Sequence, residues 1–288
     1  MPSTLDDRLF YEGKWSRPDL SAGSLRNYIV RKERFFVRRL SLRRGRVLDL
    51  GCGGGWRLYT RAGPVIGVDL SYGSLLSAGR IYAGAALADL SALPFAAGSF
   101  DVVVSSDVLG HVPAADKDAV LGEIHRVLKP GGITLHYVEA DGDDPLMRFA
   151  KRYPELYRRH VIAPEGHVGL EAPAAITARF RRLGFRALAE IPAYRGLTYV
   201  RRFVQYFDNE YAGKARAVRL LVGLCKLLAR MHLVELASNL LLSLLMEIGD
   251  RVLPERWAGG VLVCYEKEPE QDLAGRGAND RTHQCLGV

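Results

Sequence analysis

Cysteine is scarce in this chain. The four present in 288 residues, Cys52, Cys225, Cys264 and Cys285, form no Cys-x-x-Cys pair and no Cys/His group at structural-zinc spacing. This excludes a disulfide framework and gives no reason to expect a metal site, and a reducing, cytoplasmic setting suits such usage. The opening Met1-Pro2-Ser3-Thr4-Leu5-Asp6-Asp7 lacks the charged-then-apolar pattern of a signal peptide. No stretch reaches the roughly 18–20 uninterrupted apolar residues of a spanning helix. With 48% hydrophobic and 25% charged residues, neither a disordered nor a fibrous chain is indicated. The length suits one large α/β domain, or a domain carrying an insertion.

What is abundant is positive charge. The formal net charge is +8, and Arg31, Lys32, Arg34, Arg38, Arg39, Arg43, Arg44 and Arg46 crowd one short segment. Anionic partners of several kinds fit such a balance, as does a plain solvated helix face.

Residues 1–45 read as an irregular lead-in followed by a basic helix from Ser24, with Tyr28, Phe35, Phe36 and Leu40 on its apolar face. Short apolar runs then alternate with helical stretches. Arg46–Leu50 and Val65–Asp69 are buried-strand patterns, with a short helix between Trp56 and Ala62. Ala85–Asp89 and Phe100–Ser105 follow, then a helix from Lys117 to Leu128 stopped by Lys129-Pro130-Gly131-Gly132, and a strand from Ile133 to Val138. This alternation predicts an α/β fold with a doubly wound, mainly parallel sheet. The core is placed at residues 46–192, including a helix over Pro173–Leu183 and a strand over Arg186–Ile191. A leucine-rich helical insertion is expected at 193–258, the final strand at 259–268, and a polar, disordered tail at 269–288.

The chemistry concentrates where the first strand ends. Gly51, Gly53 and Gly55 remove side chains, so backbone N–H groups lie open to a ligand at the carboxyl end of a parallel sheet. Asp69 ends the next strand at the distance where an acid meets ribose hydroxyls. A dinucleotide is the first competitor, but its third glycine is replaced by Trp56, and Asp49 is a poor neighbour for an anionic pyrophosphate. An acid there suits a ligand with a cationic amino group and a sulfonium.

The run Val47-Leu48-Asp49-Leu50-Gly51-Cys52-Gly53-Gly54-Gly55 resembles the first motif of class I S-adenosylmethionine-dependent methyltransferases. Gly67-Val68-Asp69-Leu70-Ser71, Ala88-Asp89-Leu90 with Leu93-Pro94-Phe95, and Arg126–Gly132 resemble further motifs of that family in the right order. Ser99–Val112, containing Ser105-Ser106-Asp107 and Leu109-Gly110-His111, is similar to the fourth-strand signature of its type 11, small-molecule branch. The resemblance covers about residues 45–140 and implies a seven-stranded Rossmann-like sheet with S-adenosyl-L-methionine as cofactor. Residue by residue, it implies that Asp49, Gly51, Cys52, Gly53 and Gly55 cradle the methionine part. Asp69 would accept the ribose hydroxyls, with Leu70 against the adenine. Asp89 would receive the adenine amino group beside Leu90, Ser105 and Ser106 would floor the methyl site, and His111 would stand near the cofactor carboxylate. One departure is Gly110, where the family commonly has glutamate.

Methyl transfer from a sulfonium needs alignment above all, and a base only for a hydroxyl or acidic-carbon acceptor. The candidates are His111, His160, His167 and Asp107, each with a structural role as the alternative. His167, in a loop resembling one found in type 11 relatives, is the first choice for catalysis, with His111 second. Ser105-Ser106-Asp107-Val108 stands where base-flipping methyltransferases carry an Asn/Asp-Pro-Pro-aromatic run, which argues against a nucleic-acid acceptor. A small-molecule or lipid-like acceptor is the reading taken, with an RNA-directed enzyme or a non-catalytic binding protein as alternatives. Leu220, Leu221, Leu224, Leu227, Leu228, Leu240, Leu241, Leu244 and Leu245 recur at helical spacing. They suit either packed helices or a dimer face, or else a greasy cap that admits a lipid or polyketide-like acceptor or rests on a membrane, beside Arg201, Arg202, Lys214, Arg216 and Arg219.

Overall fold

The computed structural model describes residues 27–196 and 198–268. The lead-in over 1–23, the cap at Ser24, the side chain of Tyr28 and the tail over 269–288 lie outside the described residues. Helix α1 (Asn27–Leu40) buries Phe35, Phe36 and Leu40. Three residues of the basic cluster are taken up internally: Arg31 pairs with Asp250, Lys32 with Asp107, and Arg43 with Glu266. Part of the positive charge therefore holds the fold together.

Strands β1 (Val47–Leu50), β2 (Val65–Asp69), β3 (Gly84–Leu87), β4 (Phe100–Ser106) and β5 (Leu128–Glu139) form parallel pairs in the order β3-β2-β1-β4-β5. Helices α2 (Tyr72–Ala78) and α3 (Lys117–Val127) connect β2 to β3 and β4 to β5. Every residue of β1 is buried, as a strand covered on both faces requires. β5 starts earlier than Pro130 and the glycines suggest: Leu128 already pairs with Phe100, the register slips, and pairing resumes at Val102 and Ile133. The stretch expected to be a helix from Trp56 is a five-residue 3-10 turn, Arg57–Arg61.

Beyond β5, the prolines break the chain into α4 (Pro145–Lys151), α5 (Pro154–Tyr157) and a π turn over Arg158–Ile162. Helix α6 (Pro173–Arg182) leads to β6 (Phe185–Arg195). Then come α7 (Val200–Phe207), α8 (Glu210–Lys214), α9 (Arg216–Arg230), α10 (His232–Val252) and finally β7 (Ala258–Lys267). β7 inserts antiparallel between β5 and β6 to complete seven strands.

Two apolar clusters sandwich the sheet, one with Leu48, Leu50, Phe100 and Ile124, the other with Phe36, Val47, Val104 and Leu135. A third, around Phe203, Phe207, Tyr211, Val218 and Val222, joins α7, α8 and α9 to Ala150 of α4.

Helix α10 is inside out. Its buried residues include Glu235, Ser243 and Asp250, while Leu233, Leu240, Leu241, Leu244, Leu245 and Ile248 are exposed. The buried face is bonded to the segment before α7 and to α7 itself. Arg201 donates to both oxygens of Glu235, and the backbone N–H groups of Tyr194 and Arg195 donate to Asp250 at 3.1 and 2.8 Å. By length and composition α10 is apolar enough to cross a membrane, although no uninterrupted apolar run occurs. Its polar inner face fixes it along the body of the protein instead.

Candidate active site

Strand β1 lies between β2 and β4, so the chain leaves it in opposite directions on its two sides. A crevice opens at the carboxyl ends of such strands. Asp49, Asp69, Ser106 and Glu139 all lie at or next to these ends. The glycine loop turns through left-handed backbone at Gly51, Gly53 and Gly55, with φ of 59°, 50° and 82°. A short 3-10 turn follows rather than an α-helix, so no long helix N-terminus waits for a pyrophosphate. That agrees with Trp56 in the third dinucleotide position.

Asp49 is buried, and the Tyr82 hydroxyl donates to it at 2.7 Å. Burial pushes its carboxyl up to about 8, opposed by the Tyr82 hydrogen bond and helped by the charge of Asp69. Tyr82 also receives the Trp56 N–H at 2.6 Å, tying the loop to the end of α2. Sequence reasoning missed Tyr82, because nothing in its neighbourhood marks it. Asp69 accepts the N–H groups of Gly53 and Ser71, each at 2.8 Å. Asp89 accepts the N–H and hydroxyl of Ser91, both at 2.8 Å, just past β3. Leu70 and Leu90 are half-buried beside these acids.

A glycine cradle, a buried acid with no ion-pair partner among the described residues, and two acids at or just past the ends of the next strands match the polar groups of S-adenosylmethionine. The residues present fit that cofactor.

Two expected contributions change. Ser105 is fully buried and its hydroxyl lies 2.6 Å from His136 Nδ1, so that side chain belongs to the core and not to a methyl-site floor. Strand alternation sends neighbours to opposite faces, and Ser106 is the half-exposed one, donating to Asp107 at 2.6 Å. Cys52 likewise turns inward; a Cβ on Gly67 would stand 2.7 Å from its sulfur, so Cys52 offers a ligand only its backbone. Burial pushes the Cys52 thiol well up.

Of the four base candidates, two come together. His111, in a turn after β4, and His167, in the loop after the π turn, have ring centroids 4.8 Å apart. Their Nε2 atoms stand 3.8 and 3.5 Å from Glu139 Oε1 at the end of β5. The loop is stitched in place by the N–H groups of Val168 and Gly169, which donate to the Gly110 carbonyl. Lys117 donates to the Gly169 carbonyl and to Glu171. Gly110 explains the departure from the family pattern: a Cβ there would lie 2.9 Å from Glu139 Oε2, so the carboxylate of Glu139 occupies that space. His160 instead pairs with Glu210 at 2.6 Å, and Asp107 is ion-paired with Lys32. A cleft of about 590 Å³, lined in part by Asp141, Tyr157, Ile162, His167 and Leu170, adjoins the pair of histidines.

Residues 48–136 match the family model described as "Methyltransferase domain". Among curated relatives, the arsenite methyltransferase of Aquipseudomonas alcaligenes is 38% identical over 131 residues, 38% of this chain and 37% of the relative. The ubiquinone/menaquinone biosynthesis C-methyltransferase UbiE of Desulfotalea psychrophila is 40% identical over 128 residues, 41% of this chain and 50% of the relative. The chain thus spans half or less of the length of these two relatives. The solved YcgJ protein from Bacillus subtilis shares the fold, with a TM-score of 0.52 at 17% identity over 84% of this chain and 99% of that one. The motif-bearing strands, the glycine loop and the family match coincide, and residues 48–136 form a class I S-adenosylmethionine-dependent methyltransferase domain.

Proposed function

We propose that the whole chain is an S-adenosylmethionine-dependent methyltransferase acting on a small-molecule or lipid-like acceptor. The observation that carries this is the adjacency, along one edge of the sheet, of a cofactor cradle and a polar cluster that opens on a cleft. Asp49 and the loop glycines hold the cofactor, Asp69 and Asp89 orient its nucleoside, and the cofactor supplies a methyl group already activated by its sulfonium. Glu139, His111 and His167 stand where an acceptor entering the cleft presents its polar end. The half-length relatives are named for arsenite and for quinones, and small acceptors of that kind fit a 590 Å³ cleft.

The test is conversion of S-adenosylmethionine to S-adenosylhomocysteine with a mixed acceptor panel. A binding protein saturates without turnover. An RNA-directed enzyme yields methylated RNA and an affinity that falls steeply with salt. Replacing His167 by Ala is expected to lower kcat at saturating substrate by about 100-fold or more, and unchanged turnover removes His167 from catalysis.

A second reading concerns where the acceptor is met. The outward leucines of α9 and α10, fringed by exposed Arg216, Arg219, Lys226 and Arg230, support peripheral contact with an anionic membrane on the cytoplasmic side. Failure to co-sediment with anionic liposomes at low salt removes this reading.

A further inference from the structure

We propose that His111, Glu139 and His167 form a binding site for a divalent first-row transition-metal ion. The inference deepens the methyltransferase reading and rests on it only for the use of the site, not for its existence. The three residues lie far apart in sequence: in the turn after β4, at the end of β5 and in the loop after the π turn. Their candidate ligand atoms nevertheless fall within 4.8 Å of one another.

The spacing of the three side chains suits a single ion. With bonds of about 2.1 Å, two ligand atoms on one ion stand about 3.0 Å apart at a right angle and about 3.4 Å apart at the tetrahedral angle. The edges from Glu139 Oε1 to His167 and His111 Nε2 are 3.5 and 3.8 Å, close to these values, and the histidine ligand atoms stand no more than 4.8 Å apart, so their approach by up to about 1.4 Å closes the site.

The His111 ring is oriented by its other nitrogen. His111 Nδ1 lies 3.0 Å from the Gly166 carbonyl oxygen. A carbonyl only accepts, so Nδ1 carries the hydrogen and Nε2 of the neutral ring keeps its lone pair toward Glu139. Facing the Glu139 carboxylate, that nitrogen calls for a positive centre between them, a part that a metal ion or a proton can fill. The N–H to a backbone carbonyl is also the contact that orients a metal-binding imidazole.

Glu139 also carries an unmet acceptor. Glu139 Oε2 is buried and makes no hydrogen bond among the described residues, a state that costs free energy unless a positive partner is supplied. Space for this carboxylate exists because residue 110 is glycine.

Two imidazoles and one carboxylate suit Zn²⁺, Fe²⁺ or Co²⁺ better than Ca²⁺ or Mg²⁺, and three protein ligands leave room for another. His167 also lines the 590 Å³ cleft. The matching ligand class is therefore a small acceptor with an ionisable hydroxyl, thiol or oxyanion. His167 then acts as a ligand rather than as a base.

The intact chain, stripped with a chelator, is titrated with Co²⁺ and followed by its visible d–d absorption. One Co²⁺ per chain, displaced by Zn²⁺, is expected. Glu139→Gln, His111→Ala and His167→Ala should each weaken binding by at least about tenfold, whereas His160→Ala, in the Glu210 pair, should not. S-adenosylhomocysteine binding by each variant reports that it is folded; should a histidine variant lose it, Glu139→Gln carries the test. Co²⁺ affinity equal in the wild type and in the folded variants overturns the proposal. So does normal S-adenosylhomocysteine binding with no Co²⁺ uptake, which would leave a proton-sharing cluster and the cofactor site intact. Co²⁺ uptake without S-adenosylhomocysteine binding would support the metal site and count against the methyltransferase reading instead.

Discussion

Asp49 is ionised only at a cost in the free protein, because burial raises its carboxyl to about 8 from an ordinary 3.8. The folded value lies above the unfolded one, so the stability it contributes is fully present below about pH 4 and is lost as pH rises through about 8. A cationic cofactor reverses the preference. Binding of S-adenosylmethionine at pH 7 should therefore release up to about one proton, and almost none above pH 9. Calorimetry in buffers of different ionisation heat measures this directly; an Asp49→Asn variant with the same release would assign the proton elsewhere. The Tyr82 hydroxyl lowers the Asp49 pKa. Tyr82→Phe should thus shift the dependence to higher pH and weaken cofactor binding at pH 7 several-fold.

At the scale of elements, α10 joins two opposite surfaces. Its inner face depends on ion pairs and backbone hydrogen bonds, its outer face on nothing described. Asp250→Ala removes a carboxylate that accepts the Tyr194 and Arg195 N–H groups and pairs with Arg31. It should lower the unfolding free energy in urea by about 3 kcal/mol. A Leu240→Asp, Leu244→Asp double variant places charge where the side chains are 58% and 59% exposed. It should change stability by only about 0.5 kcal/mol per site while abolishing liposome binding. A large loss of stability in this variant would show that the leucines face a second copy of the chain or another part of the protein. The leucine spacing was legible in the sequence, but the direction it faces was not. A helical repeat is the same whether core or solvent lies on that side, and only the partners of Glu235, Ser243 and Asp250 decide it.

Across the whole molecule, the centre of the sheet carries one polar knot. His136 of β5 is fully buried between the hydroxyls of Ser105 at 2.6 Å and Thr134 at 2.5 Å. Burial lowers its pKa to about 3. A neutral His held below its unfolded value of 6.5 supports the fold above that pH, and the support is lost as pH falls toward 3. This one group should account for about 2 kcal/mol of lost stability by pH 5. His136→Gln should flatten the fall measured by urea unfolding between pH 6.5 and 5, and an unchanged slope would place the acid sensitivity elsewhere.

The strands and the acids at their carboxyl ends were readable from the sequence, because buried parallel strands are short apolar runs and their ends carry the motifs at fixed spacing. The positions of Asp49, Asp69 and Asp89 at or just past the strand ends follow from the motif spacing, and their contact with the cofactor is part of the proposed function. What the tertiary structure decided are matters of direction and distance. Ser105 turns into the core and Ser106 out of it, because one residue reverses a strand's face. Tyr82 reaches back to Asp49 from a helix end. Glu139 meets His111 and His167 because the turn after β4 and the loop after the π turn converge over the end of β5, and no local pattern records an encounter between residues so distant along the chain.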